Sequence, residues 1–234
     1  MKTLLQIIQQ FTATAGLTVP VAVVSSTDTQ IIQILALLNE GLDELGMAKW
    51  PQAEVEATFT STSVENQGKI DTIAPGFSEL IPNTFWNLTN KLPAIGSMSP
   101  QETQVLKVWG TPSAMVTFRQ VGDELHFIPA IASGSQFRFE YRTRYLVKNS
   151  LGVPQQYFTA DSDVPILPDH VLIAFLRWRW RMEKGLPYAE QMRTFEMLKA
   201  TAITSGAAKR PISMSGGCKD ARPGIVVPLG SWQR

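Results

Sequence analysis

Apolar residues recur at helical spacing near both ends of the chain and at strand spacing in its middle. Leu4, Leu5, Ile8 and Phe11 predict a short amphipathic helix ending near Gly16. Pro20 and the run Val21 to Val24 form a connector. Thr27 or Asp28 then caps a second helix, in which Ile31, Leu35, Leu38, Leu42 and Leu45 step by four and three up to Gly46. That seam lasts only about two heptads, too few for a coiled coil, so it predicts a core face.

From Trp50 the period changes to two. Val55, Ala57 and Phe59 alternate with Glu54, Glu56 and Thr58, the pattern of a half-buried strand. Asn66-Gln67-Gly68 signals a turn, after which Ile70 to Ile73 can pair back. Pro75-Gly76 turns again into an extended segment with two prolines. Ser99-Pro100-Gln101-Glu102 starts a short helix reaching about Trp109, with a cap residue, proline at the first helical position and an acidic first turn. Met115 to Val121 and Glu124 to Pro129 read as strands joined by a tight hairpin at Gly122-Asp123. Gln136 to Lys148 is the clearest strand. Phe137, Phe139, Tyr141, Thr143, Tyr145 and Val147 point one way, and Arg138, Glu140, Arg142, Arg144 and Lys148 the other.

The stretch Leu167 to Lys184 predicts a helix apolar on nearly every side, through Val171, Leu172, Ile173, Phe175, Leu176, Trp178, Trp180 and Met182. Asp169 is its expected N-cap and Gly185 its end. Such a helix needs several neighbours to bury it. Arg177, Arg181 and Lys184 align along it as a basic ridge. Two readings stand: pairing with acidic neighbours at the surface, or contact with another subunit or with nucleic acid phosphate. Tyr188, Met192, Phe195 and Leu198 predict a further helix from Pro187 to about Ile203. The remainder has no periodicity and many Gly, Pro and Ser residues, which predicts an extended arm that orders on a partner.

These elements predict an α+β fold: a helical bundle formed by both ends of the chain (1–49 and 166–204), an inserted β-rich domain (50–165) and an extended C-terminal arm (205–234). An apolar content of 44% with 18% charge fits a globular protein, and a net charge of +1 supplies no global field toward DNA or a membrane. The arm differs: Lys209, Arg210, Lys219, Arg222 and Arg234 stand there against Asp220 alone. A single cysteine, Cys218, excludes an intrachain disulfide and suits assembly in a reducing cytoplasm. Gln6, Gln9 and Gln10 interrupt the N-terminal apolar run, which speaks against a signal peptide, and no stretch has the apolar length of a membrane span. A soluble protein without membrane contact is expected.

The catalytic inventory is thin. His126 sits within an expected strand and His170 in the first turn of a helix, where a cation meets the unfavourable end of the dipole. No metal-ligand spacing, nucleophile elbow or phosphate loop occurs. Cys218 has no base beside it, and Asp161 with Asp163, or Asp43 with Glu44, read as loop and surface charges. No enzyme, cofactor or metal is expected. Arg138, Arg142 and Arg144 could track phosphates, but alternation puts the aromatic residues on the other face, so base stacking beside them is not expected.

Residues 81–102, IPNTFWNLTNKLPAIGSMSPQE, and 118–147, FRQVGDELHFIPAIASGSQFRFEYRTRYLV, together with the order of elements, resemble the head-to-tail adaptor (head-completion or tail accessory) proteins of tailed bacteriophages. The resemblance implies a homo-oligomeric, dodecameric ring in the virion between the portal protein and a tail or nozzle protein. The ring would seal the packaged DNA and form part of its ejection channel without reading its sequence. It implies that the helices build the ring wall, with Arg177, Arg181, Lys184, Arg138, Arg142 and Arg144 at subunit interfaces or the channel. The arm would bind the portal through Ile212, Ile225, Val226, Val227, Trp232 and Arg234. The alternative is a tail or surface module that grips a glycan or receptor through Trp86 and Trp109.

Overall fold

The structure is a computed structural model and describes residues 1–109 and 115–206. The chain runs through α1 (Leu4–Ala15), α2 (Thr29–Gly46), β1 (Glu54–Thr60), β2 (Asn66–Lys69), α3 (Ile70–Ile73) and β3 (Phe77–Leu80). Next come β4 (Trp86–Asn87), β5 (Leu92–Pro93), α4 (Pro100–Trp109), β6 (Thr117–Val121), β7 (Glu124–Ile128) and β8 (Gln136–Thr143). It closes with β9 (Val147–Lys148), β10 (Pro154–Gln155), β11 (Val164–Pro165), α5 (Asp169–Glu183) and α6 (Ala189–Gly206).

Helix starts follow local chemistry. Thr3 and Gln6 form a reciprocal capping box on α1, and Gly16, at φ 72°, supplies the left-handed residue that ends it. The Asp28 carboxylate accepts from the Gln30 amide at 2.9 Å and caps α2. On α5 the expected cap is displaced by one residue. Pro168 occupies the N-cap position without a side-chain bond. Asp169 instead accepts from the Lys2 amide at 3.2 Å, tying the N-terminus to the helix start.

Strand β8 is the spine of the largest sheet. It pairs antiparallel with β1, placing Phe59 opposite Phe137 and Ala57 opposite Phe139, and its other edge takes β3 and β4. Phe137, Phe139 and Tyr141 are buried, and Phe85 stacks on Phe139 with ring centroids 5.1 Å apart. A second sheet, β2-β7-β6, contains the expected hairpin, with Gly122 at φ 62° in its turn. Asn66-Gln67-Gly68, expected as a turn, falls within strand β2 on β7, and Ile70–Ile73, expected to pair back as a strand, is the helical turn α3. The long strand expected to reach Lys148 ends at Thr143. After it the chain crosses into a third sheet, β10-β9-β11.

The expected fold class is overturned. The described residues form a mixed α/β fold of six helices and three antiparallel sheets, not a bundle from both ends carrying one β-rich insert. Two of the helices, α3 and α4, lie within the stretch assigned to the insert. Nor does that stretch keep its apolar residues to itself: Leu146, Val147 and Phe158 are buried in the same cluster as Leu38, Phe175 and Trp180. The physical reason is that sheet β9–β11 is too small to enclose a core and buries its apolar side against the helices.

Helix α5 is the centre of this cluster. Gly41 of α2 abuts the Phe175 ring, Phe11 of α1 meets Trp180 edge-on at 6.2 Å, and Phe195 of α6 meets Phe175 at 5.5 Å. A second cluster, built from Phe85, Phe118, Phe127, Phe137 and Phe139, fills the space between the two larger sheets.

Candidate functional site

The fold gives partners to His126 and to several carboxylates that look unpaired along the sequence. The half-buried His126 of β7 lies between Glu65, 3.5 Å from Nδ1, and Glu124, 3.4 Å from Nε2. Lys107 of α4 reaches Glu65 at 2.6 Å. Chiefly through this bond to Lys107, with help from His126, the Glu65 carboxyl is held below its ordinary 4.5. A depressed carboxyl contributes stability that is present above its unfolded pKa and lost as pH falls through the folded one. Acidification below the ordinary carboxyl value of 4.5 is therefore expected to loosen α4 from the sheet. Amide exchange of α4 should rise as the pH falls, and less so in Lys107→Ala, where the pair is already broken. Among the described residues no group of three or more His, Cys, Asp or Glu could hold a metal ion.

Asp161 and Asp163 are structural ties rather than loop charges. The buried Asp163 accepts from the Thr159 and Ala160 amides, each at 2.8 Å, and from Gln155 Nε2 at 2.6 Å. Its carbonyl takes the Leu4 amide at 2.8 Å. Asp161 accepts from the amides of Val24 at 2.8 Å and Val23 at 3.1 Å. Residues 159–163 thus hold the N-terminal helix and its following connector.

The basic face of β8 is matched by neighbouring carboxylates. Arg142 bridges Glu79 at 2.9 Å and Glu54 at 3.2 Å, Arg138 meets Glu56 at 3.3 Å, and Arg144 meets Asp71 at 3.5 Å. Lys49 reaches Glu79 as well, at 2.8 Å, and chiefly through that bond Glu79 is held below the usual carboxylate value. Arg138 and Arg142 therefore serve cross-strand pairing, and Arg144, just past the strand, ties it to α3. Read from its own residues, β8 looked strongly basic because the acids that neutralise it lie far away in sequence.

The ridge on α5 divides. Lys184 lies over the Trp180 ring, 4.4 Å from its centroid, and donates to Gln33 at 2.9 Å. Arg179, which the ridge did not include, pairs with Glu40 at 2.8 Å. Arg177 is exposed and Arg181 half-exposed, and among the described residues neither has an ion pair. Arg177 stands on the wall of a cleft of about 750 Å³ between the N-terminus, α5 and α6. Ile173, Ala174 and Leu198 give it apolar surface, while Lys2, His170 and Arg177 line it with basic groups. Its carboxylate, Asp169, is already bonded to the Lys2 amide. The arrangement suits an acidic, partly apolar segment. No acid–base pair or nucleophile is assembled in it.

No protein-family model matches this chain, and a search of curated proteins matches none. Its own geometry has to carry the functional reading.

The remaining expected site residues fall elsewhere. Ile212, Ile225, Val226, Val227, Trp232, Arg234 and Cys218 lie outside the described residues, as does the side chain of Trp109. Trp86 is half-buried on β4, paired in register with Arg138 and Pro93. Among the described residues no helix is long and apolar enough to cross a membrane.

Proposed function

We propose that this chain is a structural component of a tailed-phage virion, a head-to-tail adaptor whose copies form a ring between the portal and a tail or nozzle protein. Assembled in the host cytoplasm onto a filled head, the ring would close the portal exit over the packaged DNA and extend its channel. The DNA would pass without sequence-specific contact.

The observation that carries this reading is the open side of the helical layer. Helix α6 covers α5 with only Phe195 and Ala202 buried. Leu186, Tyr188, Met192 and Met197 stay exposed on and just before it. A helix that has buried so little still has apolar surface to cover, and lateral packing of copies covers it. The resemblance of residues 81–147 to phage adaptors supports the same reading.

In this account the segment after Gly206 docks on the portal, with Ile225, Val226, Val227 and Trp232 as anchors. The measurement is co-sedimentation with the portal protein of the same virus. The full chain is expected to bind, and a chain ending at Gly206 to lose at least about a hundredfold in affinity, since an ordered arm concentrates its binding energy in a few large apolar anchors. Equal binding by both chains would remove the arm from the account.

A further inference from the structure

We propose that copies of this chain associate head to tail, the acidic outer stripe of α2 on one copy seating in the cationic cleft beside α5 of the next. The proposal rests on the ring reading above and supplies its contact.

The two surfaces differ in charge and face opposite ways. Helix α2 carries Glu40, Asp43 and Glu44 and no basic residue. Ile32, Ala36, Glu40, Asp43 and Met47 recur at steps of four and three, and all are exposed, so they form one stripe with acids at its centre and apolar groups at its ends. Glu40 pairs with Arg179, and Asp43 accepts from Gln156 Nε2 at 3.1 Å and the Tyr157 hydroxyl at 2.9 Å, so the carboxylate left free is that of Glu44. Glu44 beside it is exposed and has no partner among the described residues. The cleft has a complementary make-up: Lys2 and Arg177 are its cations, Asp169 its one carboxylate, and Ile173, Ala174 and Leu198 its apolar surface. Docking a helix face into such a groove would match both charge and apolar surface.

Their placement follows from helix geometry. Gly41 abuts Phe175 and Glu40 pairs with Arg179, so α2 sits against the side of α5 that carries positions 175 and 179. Arg177 and Arg181 come two residues after these, about 200° around the helix. Glu40 at the edge of the stripe turns back to Arg179, while Ile32, Ala36, Asp43 and Met47 face outward from α2, so the stripe and the cleft lie on opposite sides of the helical layer. Two complementary patches on opposite sides cannot satisfy each other within a two-fold dimer. They make a heterologous contact, which repeats and closes into a ring where the rotation between copies permits.

The test uses charge reversal in the full chain, with mass followed by sedimentation at low salt over a range of concentrations. Wild type is expected to form oligomers that weaken as salt is added. Arg177→Glu and Glu44→Arg are each expected to weaken association by at least about tenfold, because each sets like charges against one another. Mixing the two variants should restore assembly, since the reversed cleft of one accepts the reversed stripe of the other and the remaining contact is native. Wild type that associates while the single variants do so equally well, or a mixture that stays dissociated, would overturn this contact and leave the ring reading standing. Wild type that stays monomeric throughout would overturn the contact too, and the ring reading would then be decided by binding to the portal. If Arg177→Glu abolishes binding to duplex DNA but leaves self-association intact, the cleft belongs to nucleic acid and the proposal fails.

Discussion

Gly41→Leu is expected to destabilise the chain by about 3 kcal/mol, the upper part of the usual range for overpacking a core. A Cβ placed on Gly41 would fall well inside the contact distance of the Phe175 ring. That ring cannot give way easily, because it is fully buried and held edge-on by Trp178 at 5.6 Å and Phe195 at 5.5 Å. Glycine is therefore required in the middle of α2 for closeness of approach, against a helix-propensity cost of roughly 1 kcal/mol. Gly41→Ala recovers that propensity but meets the same ring, so it should be destabilising by a smaller margin. Adding Phe175→Leu to Gly41→Ala should return part of the loss, and the double-mutant cycle measures the coupling. Urea midpoints at constant m-value are the readout. A Gly41→Ala protein more stable than wild type would show that α2 does not press on α5 as described.

Asp163→Ala is expected to cost about 2 to 4 kcal/mol. The buried carboxylate is the common acceptor for two backbone amides and the Gln155 side chain, and truncation leaves these part-buried donors without it. The damage should extend beyond the loop, since the Asp163 carbonyl holds the Leu4 amide and Asp161 holds those of Val23 and Val24. Amide exchange of α1 should therefore accelerate together with that of residues 159–163. Asp163→Asn keeps an acceptor oxygen and should lose less. A loss confined to the loop, with α1 unchanged, would contradict the tie.

How much of this was legible depended on how local the cause was. The hairpin at Gly122-Asp123, the seam of α2, the alternation in β8 and the burial of α5 all follow from patterns within one element, and the structure contains them. The failures have a shared origin in residues distant in sequence. Asn66-Gln67-Gly68 reads as a turn by composition, yet pairing with β7 makes it part of a strand. The basic face of β8 could not be read without Glu54, Glu56, Asp71 and Glu79, which other strands and turns bring to it. Asp163 looked like a loop charge because its donors are backbone amides, which no sequence pattern displays. The expected bundle with a β-rich insert fails for a similar reason. Nothing local in Leu146, Val147 or Phe158 says that they pack among helices. Of the candidate site, the exposure of Arg177 could be anticipated from its helical row, but the cleft beside it required the N-terminus and α6 to meet there.

The proposed ring on a portal is tested by the mass of the full chain mixed with purified portal of the same virus. One symmetric complex is expected, with copies of this chain equal in number to the portal subunits and no intermediate occupancies at saturation. A chain that stays unbound at saturating concentrations, or that adds to the portal in variable and unsymmetric numbers, would contradict it.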